Sequence, residues 1–126
     1  MIAKRGTGFT LVEILVVMSI IALLLALAVP RYFKSVARAQ EAVLRENLML
    51  IRDALDKHYA DTGKYPANLA ELVAKRYLRK VPEDPITGSG TTWVLAPPDR
   101  PEKGGVFDVK SGAAGNSLSG VPYNQW

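Results

Sequence analysis

The chain has 126 residues, 16 Lys or Arg against 12 Asp or Glu, a net charge of +4 and no cysteine. That length allows one small domain, and the missing thiols exclude disulfides, thiolate metal sites and cysteine nucleophiles. His58, the one histidine, cannot build a multi-histidine metal centre.

Met1–Gly8 carries Lys4 and Arg5 and no acid, and an apolar run follows it. Of the 21 residues Phe9–Val29, only Thr10, Glu13 and Ser19 have polar side chains. As a helix this run spans about 32 Å, roughly the hydrocarbon thickness of a bilayer. A cleaved secretory signal needs a shorter apolar core and a small-residue cleavage site, and Val29-Pro30-Arg31 is a poor one. The basic flank places the N-terminus in the cytoplasm and sends the rest of the chain outward.

Glu13 is the anomaly. A carboxylate in an apolar helix costs about 2.5–3.5 kcal/mol on insertion scales and normally has a partner, yet no basic residue lies between Arg5 and Arg31. The cation must come from another chain or from a terminus. Cleavage between Gly8 and Phe9 would create an α-amino group four residues before Glu13, able to meet that carboxylate within one chain or in a staggered stack of parallel helices.

Gly8-Phe9-Thr10-Leu11-Val12-Glu13 before an apolar helix resembles the class III signal of type IV pilins and pseudopilins. The resemblance implies that a membrane prepilin peptidase cuts after Gly8 and N-methylates Phe9, and that Glu13 neutralises an amine during assembly. Pro30 falls where such helices often carry a proline, and it should bend or loosen the helix by removing a backbone donor.

From Arg31 to Ala60 the sequence turns amphipathic. Val36, Val43, Leu44, Leu48, Ile51, Leu55 and Tyr59 form one apolar stripe. Glu41/Arg45, Arg52/Asp56 and Asp53/Lys57 are opposite charges at i,i+4 and read as a solvated face, with His58 at the surface or boundary. Gly63, with Pro66 beyond it, stops a helix of about 50 residues. Asn68-Leu69-Ala70-Glu71 has capping-box spacing and should start a short helix from Leu69 to about Tyr77. Pro82, Pro85 and Gly88 break the chain. Thr91–Ala96 and Gly105–Lys110 then read as two strands joined by an open, proline-rich hairpin loop. Ser111–Trp126 reads as an irregular tail pinned by Tyr123 and Trp126. The predicted fold is α+β and type IV pilin-like: a long N-terminal helix, half transmembrane and half amphipathic, packed on a short helix and a small antiparallel sheet. The predicted divisions are a cleaved leader at 1–8, a transmembrane assembly helix at 9–30 and a periplasmic domain at 31–126.

The string Tyr59-Ala60-Asp61-Thr62-Gly63-Lys64-Tyr65-Pro66, with Pro82-x-Asp84-Pro85, Phe107-Asp108-Val109, Ser111 and Trp126, is similar to the major, G-type pseudopilins of type II secretion. The likeness implies a single-pass inner-membrane protein that forms a homopolymer and also associates with other pseudopilins. It also implies a platform protein, an assembly ATPase and an outer-membrane secretin as further machinery. A type IV pilus subunit serving adhesion, motility or DNA uptake is the alternative.

One departure concerns calcium, which G-type pseudopilins commonly bind in the loop after the last strand. Ala114 and Pro122 stand where the likeness expects acids, and Ser111–Trp126 contains no Asp or Glu. Asp108 and Ser111 remain as side-chain candidates, short of the six to eight oxygens calcium takes, so no cofactor is expected. No phosphate loop, H-E-x-x-H or G-x-S-x-G motif occurs, so the chain is not expected to be an enzyme. Asp53, Asp56 and Asp61 lie among basic neighbours, without a catalytic pattern. The basic tract Lys75-Arg76 and Arg79-Lys80 around Tyr77 reads as a solvated face, so nucleic acid is not an expected partner.

Overall fold

The computed structural model describes Gly8 and residues 10–126. Helix α1 runs from Leu11 to Thr62 and helix α2 from Leu69 to Ala74; strands β1 (Val94–Ala96) and β2 (Asp108–Lys110) form a two-stranded antiparallel sheet. The predicted α+β architecture is the observed one, with the leader and Phe9 outside the described residues.

Thr10 starts α1. Its hydroxyl accepts a hydrogen bond from the Glu13 backbone N–H at 3.1 Å, satisfying one of the donors that every helix N-terminus leaves open. Leu11 to Val29 contains no helix breaker, and Ser19 returns its hydroxyl to the Leu15 carbonyl at 2.7 Å. The helix continues through Pro30 without interruption. It ends at Gly63, whose φ of 77° admits the left-handed turn and whose N–H bonds the Tyr59 carbonyl at 2.8 Å.

Residues 11–36 are exposed along their whole length, whereas Ala37–Trp126 forms a compact unit with its own core. Leu44, Leu48, Ile51 and Leu55 on α1 meet Leu69 and Leu72 on α2, with Trp93, Val106, Val109, Ala113 and Tyr123 completing the core. The stripe is therefore narrower than predicted: Val36 and Val43 are exposed and Tyr59 is half-buried, while Ala54 and His58 are buried. Those two fall on the face that Leu44, Leu48, Ile51 and Leu55 define, and apolar character alone does not reveal them.

Asn68 caps α2 by accepting from the Glu71 N–H at 3.0 Å. Glu71 reaches back to the Ala67 N–H at 2.6 Å, one residue before the cap that a capping box would serve. The helix stops three residues short of Tyr77 because Arg76 takes φ 66°. The Tyr77 N–H then closes onto the Leu72 carbonyl at 2.8 Å.

Both strands are shorter than predicted. Val94 pairs with Lys110, Leu95 with Val109 and Ala96 with Asp108. The start of the second predicted strand, Gly105–Val106, is diverted to another partner. The Val106 N–H bonds Pro66 O at 2.9 Å and the Tyr65 N–H bonds Lys103 O at 2.6 Å, so 104–106 runs beside Tyr65–Pro66. Gly104, at φ 122°, allows this approach, since a Cβ there would strike the Tyr65 backbone. Within the proline-rich loop, Pro101–Lys103 forms one 3₁₀ turn.

Candidate assembly site

Two constellations bear on what the chain does. The first is the start of α1. Thr10 and Glu13 stand in Thr-x-x-Glu order, so Glu13 occupies the first helical turn, where the open N–H groups favour a negative charge. That local support is legible in the sequence as a capping signal, beside the missing cation. It does not supply a cation: among the described residues none lies within ion-pair distance of Glu13. Gly8 is exposed, and a Cβ built on it meets nothing within 4 Å. Phe9, the predicted new N-terminus, lies outside the described residues. Leu11, Val12, Ile14 and Leu15 are all exposed, so Glu13 heads an uncovered apolar rod.

The second constellation ties the C-terminal tail to α1. The i,i+4 spacing suggests an Arg52–Asp56 pair; instead Arg52 Nε donates to Asp108 Oδ1 at 2.8 Å, and Nη2 donates to the carbonyls of Val109 at 3.0 Å and Trp126 at 2.7 Å. Glu41, read as a partner of Arg45, is buried and accepts from the Leu118 N–H at 2.7 Å. Tyr123 OH reaches the same Oε1 at 3.4 Å, and burial, reinforced by Glu41, raises the Tyr123 pKa. Freed from Glu41, the Arg45 guanidinium lies 4.8 Å above the Trp126 ring. Tyr123 and Trp126 meet edge to face at 5.5 Å, so these aromatics do pin the tail. Of the three predicted i,i+4 pairs, Asp53–Lys57 forms, at 3.0 Å.

His58 is buried rather than superficial: it faces the Lys64 carbonyl through Nδ1 at 2.6 Å and Lys75 Nζ through Nε2 at 3.3 Å. Glu71 carries a pKa below the usual glutamate range, chiefly through the Ala67 N–H and then through Lys75.

The calcium candidates are separated by their partners. Asp108 is committed to Arg52 and to the Val109 N–H. Ser111 donates to Asp84 Oδ2 and accepts from the Ala113 N–H, and Asp84 also accepts from the Ile86 N–H. Among the described residues no three His, Asp or Glu side chains converge. A guanidinium thus already stands on Asp108, and hydrogen bonds occupy Asp84. The sequence alone gives Asp84 no role; the following Pro85, an Asx-type turn and full burial make it an anchor for Ser111.

Residues 4–29 match the family model of the prokaryotic N-terminal methylation motif. The type II secretion system core protein G of Pseudomonas aeruginosa is 31% identical, with 98% of this chain and 96% of that protein covered. The chain belongs to the type II secretion core protein G family. The core protein G of Pectobacterium carotovorum subsp. carotovorum is 30% identical over 83% of this chain and 76% of its own length. The fimbrial protein EcpC of Eikenella corrodens is 31% identical over 75% of this chain and 63% of its own length. No solved structure matches significantly. The Thr10–Glu13 cap lies inside the matched methylation motif, while the Arg52 and Glu41 ties lie beyond it.

Proposed function

We propose that this chain is a structural, non-catalytic subunit of a type II secretion pseudopilus, polymerising at the inner membrane to drive folded proteins through an outer-membrane secretin. One observation carries the reading: a helix long and apolar enough to cross a bilayer, with that apolar portion wholly exposed. A soluble protein's core helix would be covered by its own fold; this one needs lipid or other copies. Full-length similarity to core protein G of Pseudomonas aeruginosa supports the choice of machine. A type IV pilus subunit is the second reading, favoured by the similarity to a fimbrial protein over a shorter stretch.

In this proposal residues 1–8 are a leader removed by a prepilin peptidase, which methylates Phe9. Residues 9–30 cross the inner membrane and 31–126 lie in the periplasm. The partners are further copies, other pseudopilins, an inner-membrane platform protein and an assembly ATPase. Glu13 takes its cation from the Phe9 amine, of its own or a neighbouring subunit.

Glu13→Val tests the pairing. Removing the carboxylate lowers the insertion cost by about 3 kcal/mol, so a loss of assembly cannot be blamed on failed insertion. The variant should insert and be cleaved but form no filaments without wild-type subunits; normal polymerisation would refute the pairing. Deleting the gene should abolish protein secretion and leave twitching and transformation unchanged, whereas the opposite result favours the pilus reading.

A further inference from the structure

The apolar run of α1 ends in a groove with two chemistries. Leu24, Leu27, Ala28, Arg31, Tyr32 and Ser35 line a shallow, solvent-open groove on the surface of that one helix. Their spacing places them along one helix face, with aliphatic side chains at one end and a guanidinium and two hydroxyls at the other. All six are exposed. Lys34 adds a second cation, and Phe33 packs edge to face on Tyr32 at 5.8 Å.

We propose that this groove seats one anionic phospholipid, with an acyl chain along Leu24 and Leu27 and the phosphate on Arg31, Tyr32 and Ser35. Charge points to that occupant. From Ile14 to Gln40 the chain has no acid, so the helix offers Arg31 and Lys34 no carboxylate one turn away. Among the described residues neither joins an ion pair. A second copy at the same depth would bring the same two cations and repel. Glu41, the next acid along α1, is buried against Leu118. An anionic headgroup answers both cations, while Tyr32 and Phe33 suit the interfacial layer. Near a membrane surface each cation favours anionic lipid roughly fivefold, about twenty-five-fold for two.

The site rests on the reading that the first part of α1 lies in the bilayer, and carbonate extraction checks that separately. Full chain reconstituted in nanodiscs of equal phosphatidylglycerol and phosphatidylethanolamine, then released for native mass spectrometry, should retain the glycerol lipid about twenty-five-fold over the ethanolamine lipid. Arg31→Gln/Lys34→Gln should bring the two within about twofold, while Arg79→Gln/Lys80→Gln, an equal charge loss at exposed positions, should keep the preference. Equal retention by the wild type, or a preference that survives Arg31→Gln/Lys34→Gln, overturns the site. Release as a lipid-free dimer assigns the groove to a second copy and also overturns it. Carbonate washing the chain from membranes sinks the bilayer reading and this site with it.

Discussion

Arg52 shows how one side chain can replace a cross-link. Its fork spans α1, β2 and the end of the tail through Asp108, Val109 and Trp126, a planar geometry that lysine cannot reproduce. Arg52→Ala should destabilise the chain by about 2 kcal/mol, allowing for partial exposure of the ion pair. Arg52→Lys should recover less than half of that, as read by urea unfolding in detergent with Trp93 and Trp126 fluorescence. Because a guanidinium already stands on Asp108, added calcium should do nothing. Unfolding temperatures in millimolar calcium and in chelator should agree within about 1 °C, whereas a site half-filled at micromolar calcium would add several kcal/mol. A shift of several degrees would restore a metal to the tail. Arg52 could not be read from sequence, since an acid four residues away offers the same charge match as one on a strand 56 residues on. Only tertiary packing chooses between them.

The elements were legible where local chemistry decides them. The Gly63 stop and the Asn68 cap follow from φ freedom and from a side chain that satisfies a helix N-terminus, and both formed where expected. The strands were not, because Gly105 and Val106 are drawn to Pro66 instead of to β1, a competition that β-propensity does not contain. His58 departs from expectation for a similar reason: its polarity suggests solvent, while the Lys64 carbonyl and Lys75 let it be buried at little cost. Two expectations belong to α2. Arg76 holds a left-handed φ of 66° just past the helix, so Arg76→Gly should stabilise by about 0.5–1 kcal/mol in the same unfolding assay. Glu71 is held below the usual carboxylate range by Ala67 N–H and Lys75. A group whose folded pKa is depressed contributes stability above its unfolded pKa and loses it as pH falls through the folded one. Acid titration should therefore erode stability below about pH 4.5, and Glu71→Gln should flatten that limb. An unchanged acid slope would show that α2 does not depend on the charge.

At the scale of the whole molecule, one helix serves two solvents. Every residue of α1 that is buried, from Glu41 to His58, lies beyond Val36, and residues 11–36 contribute nothing to the core. The folded unit Ala37–Trp126 draws on Leu44, Leu48, Ile51 and Leu55. Leu55→Ala, which empties a fully buried position, should cost about 2–5 kcal/mol. By contrast, deleting residues 1–36 removes no residue of that core. The remaining fragment should unfold within about 2 °C of the full chain in detergent, as followed by near-ultraviolet circular dichroism, because a shift that small corresponds to well under 1 kcal/mol in a domain of this size. It should also pass entirely into the soluble fraction, having lost all the exposed apolar side chains between Leu11 and Phe33. A fragment that melts many degrees lower would mean that the apolar half supports the fold as well as the membrane. Retained stability with lost membrane binding separates the two tasks: hydrophobic burial within the chain holds the domain, and burial outside it makes the helix an anchor and a surface for assembly.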